Sequence, residues 1–268
     1  MARRKWRMDE IDKAVQKVVE REALKAKKAG ISETELEKII GNAITKAIAE
    51  LSKAVFSDCK KRLPEMISEY AELESGFRER NYQRWKDGFD LLQMLIVTSQ
   101  ETGEAINIAE REKAYRTQDW KLEALINIHA RSVLVAREIF SLMKNGFPDG
   151  ALGRWRTLHE LSVIALFLSQ HQKIVSRRYI AHRHIEAFKA AKQYREHQKR
   201  ANLKAPRDKE FEEISQINDL VVAEFGKEIA RDWGWAKPEL KGSPNFSELE
   251  KSVRMDHWRP RYKWACAE

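Results

Sequence analysis

The chain has 268 residues, 43% of them hydrophobic and 34% charged, enough for one large core or two modest ones behind heavily charged surfaces. Only 11 Gly and 6 Pro punctuate it, too few for a many-stranded β protein, and its longest wholly apolar run, Val163 to Leu168, cannot cross a bilayer. The net charge of +9 permits attraction to nucleic acid, but 50 basic residues stand against 41 acidic ones, so most charge reads as solvated helix surface.

Nearly every segment repeats its apolar residues with helical period. From Arg7 to about Lys28 the stripe is Ile11, Val15, Val18, Val19 and Leu24, closed by Gly30. Ser32 with Glu35 reads as a capping box for a second helix, whose apolar face is Leu36, Ile39, Ile40, Ala43, Ile44, Ile48, Leu51 and Val55. Leu63-Pro64 predicts a boundary, followed by a short helix through Met66, Ile67, Tyr70 and Leu73 up to Gly76. Phe77 to about Ile108 predicts one long helix with Trp85, Phe89, Leu92, Leu95, Ile96 and Ile106 inward, weakened locally by Gly88 and Gly103. The polar stretch Glu110 to Gln118 marks the softest boundary. It divides a helical extension, residues 1–115, from a second helical domain, residues 116–268.

Asp119 opens the next helix and Lys144-Asn145-Gly146 closes it, with His129 on its apolar face as a core histidine. Pro148 and Asp149 then start a helix that is apolar nearly all round from Leu161 to Leu168, as expected of a helix enclosed by others. Helices over about Lys173–Arg200 and Asp208–Trp233 follow. The loop-rich tail carries short helices near Phe246–Val253 and Trp258–Ala265. It holds Trp233, Trp235, Trp258 and Trp264 as apolar anchors for docking on the bundle. The fold class is therefore all-α, a multi-helix bundle of about eight main helices with a helical N-terminal extension and a loop-rich C-terminal tail.

The beginning Met-Ala-Arg-Arg-Lys-Trp-Arg-Met lacks an apolar segment behind its charges, and two cysteines, Cys59 and Cys266, make no disulfide framework. A reducing cytoplasm is the expected compartment.

Phe147-Pro148-Asp149-Gly150-Ala151 leads into Arg154-Trp155-Arg156-Thr157-Leu158-His159-Glu160; Arg178-Tyr179 with His182, Trp233-Gly234-Trp235-Ala236 and Asp256-His257-Trp258-Arg259-Pro260 come later. In that order, over roughly Gln118 to Glu268, these motifs resemble an uncharacterised bacterial all-helical domain-of-unknown-function family. That family carries an Arg-Ser/Thr-Leu-x-Glu helix and a C-terminal His-Trp-Arg-Pro segment. The resemblance implies a further Ser and His beyond that segment, which the residues up to Glu268 do not include. It implies a fold and positions but no reaction. The biological setting it implies is that of an effector or accessory component of a defence or stress system.

Arg156 and Glu160 stand four apart and can pair along one helix face, as can Trp155 and His159. Charged groups in an enclosed helix need partners, and the nearest candidates are Arg178, Tyr179 and His182 on the following helix. Two readings follow. One is a buried network that fixes helix packing, and the other is a pocket in which Arg156, Glu160, Arg178 and His182 carry chemistry.

Arg154/His159, Arg177/His182, Arg177/His184 and Arg178/His184 resemble the arginine, four to six residues, then histidine pattern of metal-independent helical ribonucleases of the higher eukaryotes and prokaryotes nucleotide-binding superfamily. There the histidine assists a 2′-hydroxyl attack and the arginine stabilises phosphate charge. Val163 stands where a zinc-protease helix needs its second histidine, so no metal is expected, and no cofactor-binding motif occurs.

Arg177, Arg178, Arg183, Lys189, Lys192, Arg195, Lys199 and Arg200 make a basic face that could follow a phosphate backbone, although Glu186 and Glu196 interleave with it. The N-terminal helices could bind a protein partner or a second copy of the chain. A non-catalytic interaction module for protein or nucleic acid is thus the competing reading.

Overall fold

The computed structural model of the chain describes residues 8–28 and 32–267. The described residues form nine α-helices and no strand, in two compact units, one up to Gly76 and one from Phe77 onward. The all-α reading holds. No described helix is long and apolar enough to cross a membrane.

In the first unit, α1 (Met8–Lys28) half-buries Val15, Val18 and Val19 but exposes Leu24. Gly30 and the side chain of Ile11 lie outside the described residues. Helix α2 begins at Glu33, and Ser32 Oγ donates to Glu35 Oε2 at 3.0 Å as the capping pattern requires. It does not stop at Pro64. It continues to Arg84, because Lys60 and Pro64 both lie exposed and water can hydrate the carbonyl that proline leaves without its N–H.

In the second unit, the helix expected from Phe77 is divided instead at Trp85, a single non-helical residue (φ −117°, ψ 25°). Helix α3 (Lys86–Thr117) then runs through the polar stretch that read as a boundary. Glu110, Glu112, Lys113 and Arg116 are good helix formers and pair along its surface, Glu112 with Arg116 at 3.6 Å. The turn falls at Gln118, in left-handed geometry (φ 49°, ψ 50°). Phe89 and Ile96 are buried against α4, but Trp85, Leu95 and Ile106 face outward, because α3 has one main helical partner rather than several. Gly103 lets α3 approach α4 closely: a Cβ there would lie 2.3 Å from His129 Nε2, which instead bonds the Ser99 carbonyl at 2.9 Å.

Helix α4 (Trp120–Lys144) starts where Asp119 accepts the Leu122 N–H at 3.2 Å. It packs against α3, α5 (Pro148–Gln170) and α6 (Lys173–His197). Helix α5 is walled by α4, α6, α8 (Phe246–Ser252) and α9 (Arg259–Ala267). Its Val163, Phe167 and Leu168 are fully buried, each contributing on the order of 1.5–3 kcal/mol of transfer free energy. Around them gather Ile128, Val175, Trp235, Leu249 and Val253. A smaller core of Ile185, Val221 and Ile229 lies between α6 and α7 (Asp208–Phe225).

Helix α7 ends at Phe225 rather than Trp233. Gly226 takes φ +83°, and a short 3-10 turn over Lys227–Ala230 replaces the last predicted turns while still burying Ile229. Of the four tail tryptophans, Trp235 is buried, Trp233 and Trp258 are half-buried, and Trp264 is exposed and anchors nothing.

Candidate functional site

The four nominated residues fall into two sets. Among the described residues no hydrogen bond or ion pair joins Arg156 or Glu160 to Arg178 or His182.

The first set sits where α5 meets α8 and α9. Asn245 caps α8 by accepting the Glu248 N–H at 3.0 Å, and the face so aligned carries Phe246, Leu249, Glu250 and Val253 inward. Glu250, which the sequence reading did not nominate, is 0% exposed. His159 Nε2 lies 2.8 Å from its Oε1, and Arg259 Nη1 donates to its Oε2. A bond from Nε2 to a carboxylate assigns the ring proton to that nitrogen. Trp155 stacks on the His159 ring at 5.5 Å between centroids, with Phe246 edge-on at 5.9 Å.

Burying a carboxylate costs several kcal/mol unless both oxygens are paired, and here both are. The arrangement bolts two tail segments to the central helix. Each Glu250 oxygen is thereby held by one partner inside the fold.

Arg156 and Glu160 form a shallower tier beside it. Arg156 Nε lies 3.7 Å from Glu160 Oε1, the spacing expected along one face, but both side chains are part-exposed rather than enclosed. They reach α9, not α6: Tyr262 donates to Glu160 Oε1 at 2.8 Å, and Arg156 Nη1 lies 3.8 Å from Cys266 Sγ. Burial, and then the bond to Glu160, pushes the Tyr262 phenol above its ordinary range and keeps it a donor.

The second set faces the turn after α7. Arg178, 8% exposed, donates Nε to the Trp235 carbonyl at 3.2 Å, Nη1 to Phe225 at 3.2 Å and Nη2 to Gly234 at 3.1 Å. The turn is tight: Trp233 takes φ +59°, and a Cβ on Gly234 would lie 2.1 Å from the Glu228 carbonyl oxygen. Only glycine fits there. His182 Nε2 lies 3.2 Å from the Arg231 carbonyl oxygen.

Burial pushes the His182 imidazole below its ordinary value. The Arg231 carbonyl, Glu186 and Asp232 oppose that shift, and Lys189 adds to it. A histidine depressed in the folded state contributes its stability above the unfolded value of about 6.5 and loses it as pH falls toward the folded value. The wild-type denaturation midpoint should therefore fall more steeply than that of His182→Asn as pH drops below about 6.5. Parallel curves would show that the ring titrates alike in both states.

Three of the eight cations on the basic face of α6 and the turn after it are matched by acids. Arg177 pairs with Glu224, Lys189 with Glu186 and Asp232 (2.8 and 3.0 Å), and Arg195 with Asp208 (3.6 Å). Lys192 and Lys199 are exposed, and Arg183 lies 3.4 Å from His184 Nε2. The described residues contain no group of three or more His, Cys, Asp or Glu placed to hold a metal ion. A cleft of about 800 Å³ opens between the end of α3 and the start of α4, lined by Asn107, Arg111, Tyr115, Trp120 and Glu123, away from all four nominated residues.

No curated protein and no solved structure matches the chain. Residues 122–268, which hold both polar sets and every helix from α5 onward, match a family of unknown function, DUF5677. The chain belongs to that family.

Proposed function

We propose that this protein is a non-catalytic interaction module, in which the DUF5677 domain is a braced helical scaffold and the N-terminal helices engage a protein partner. One observation carries the reading. Arg178, the arginine a ribonuclease would turn toward phosphate, spends Nε, Nη1 and Nη2 on three main-chain carbonyls of its own fold. Freeing it would strand the buried Trp235 carbonyl, at about 1–3 kcal/mol, strip the part-buried Phe225 carbonyl of its donor, and leave Gly234 only the longer bond from the Lys237 N–H at 3.4 Å. The deepest carboxylate, Glu250, is likewise held by His159 and Arg259. We assign the module an accessory role in a bacterial cytoplasmic system of defence or stress type. That setting is drawn from the resemblance of Arg156-Thr157-Leu158-His159-Glu160 and the motifs after it.

The competing reading is metal-independent RNA cleavage by Arg178 and His182, and incubation with mixed RNA in the presence of a chelator separates the two. The proposal expects the RNA to stay intact with wild type, His182→Ala and His159→Ala alike. Cleavage by wild type that disappears in His182→Ala would overturn it.

A further inference from the structure

Resting on the reading of the N-terminal helices as an interaction arm, we propose that α2 is a self-association surface on which a second copy of this chain lies antiparallel. Phe56, Leu63 and Tyr70 stand seven apart, and Cys59, Met66 and Leu73 stand seven apart between them. This is three heptads with every a and d position apolar or thiol. All six side chains are exposed, on a face one residue on from the half-buried stripe that ends at Leu51, Val55, Asp58 and Arg62. A lone helix gains no tertiary packing from such a face, and a strict seven-residue repeat is the pattern by which one helix matches another. Pro64 takes the b position, away from the seam, so its ring meets no neighbour across it.

The flanking charges select the orientation. In the antiparallel register that sets Leu63 against Met66 of the second copy, Phe56 meets Leu73 and Cys59 meets Tyr70, along a seam of about 27 Å. Arg62 then faces Glu69, and Lys53 faces Glu74, each twice by symmetry. None of these four residues makes an ion pair within the chain among the described residues. Side by side and in register, the same helices would set Glu69 against Glu74 and Arg62 against Ile67. The sequence thus supplies only attractive pairs to one orientation and a repulsive pair to the other.

Sedimentation of the full-length protein tests both parts. Wild type is expected to dimerise. Arg62→Glu and Glu69→Arg should each weaken the dimer by roughly ten-fold, and the double variant should recover it to within about two-fold. Circular dichroism checks that the half-buried Arg62 substitution and the exposed Glu69 substitution leave helicity unchanged. A monomer up to about 100 μM, where a micromolar dimer would be filled, overturns the proposal. So does a dimer that ignores Arg62→Glu and tightens with Glu69→Arg, since that is the side-by-side signature. Neither failure bears on whether the protein cleaves RNA, which the chelator experiment decides by itself.

Discussion

Glu250→Ala is expected to lower the unfolding free energy of the C-terminal unit by about 3–5 kcal/mol, read as a large drop in denaturant midpoint. The loss comes from what remains: His159 at 5% exposure and the Arg259 guanidinium would face a cavity with no acceptor. Glu250→Gln keeps the shape and one acceptor oxygen but surrenders the charge, and should cost about half as much. Glu160→Gln serves as the control. It touches Tyr262 and Arg156 at a part-exposed surface, where an ion pair contributes at most about 1 kcal/mol. Equal effects at Glu250 and Glu160 would show that the buried bolt does not hold the tail.

Arg178→Leu is the second large effect, at about 3 kcal/mol, because it removes donors to Phe225, Gly234 and Trp235 together. Arg178→Lys should recover only part of this, since an ammonium cannot span the three carbonyls with a planar fork. Trp235, 3% exposed within the core that includes Phe167, reports the damage as a red-shifted emission well before global unfolding. An Arg178→Leu protein with wild-type stability and emission would reopen the case for an arginine free to meet a ligand.

The second unit was more legible in the sequence than the first. Helices α4 and α5 announce themselves through Asp119, Pro148 and Asp149, where side-chain chemistry and helix ends coincide. Pro64 misled because one missing hydrogen bond is tolerable in an exposed helix, and Gly226 escaped notice because Phe225 and Ile229 keep helical spacing across it. Within the site, the pairing of Arg156 with Glu160 was readable from their spacing, but their depth was not. The all-round apolar stretch begins only at Leu161, so their turn reaches the surface beside α9. The buried pair used His159 instead, and its acid came from a distant helix. A trace of Glu250 did exist in the sequence: it follows Phe246 by four and precedes Val253 by three, on the apolar face of α8. Nothing local distinguishes it from Glu248, because what buries it is the approach of α5 and α9.

His159 and Glu250 lie 91 residues apart. At ribosomal speeds of about 5–20 residues per second, the imidazole emerges roughly 5–18 s ahead of the acid that will meet it. The α4–α5 hairpin can close during that interval, while the pocket for α8 stays open and sticky in the nascent chain. The core around α5 is therefore completed only when the last helices of the chain are made.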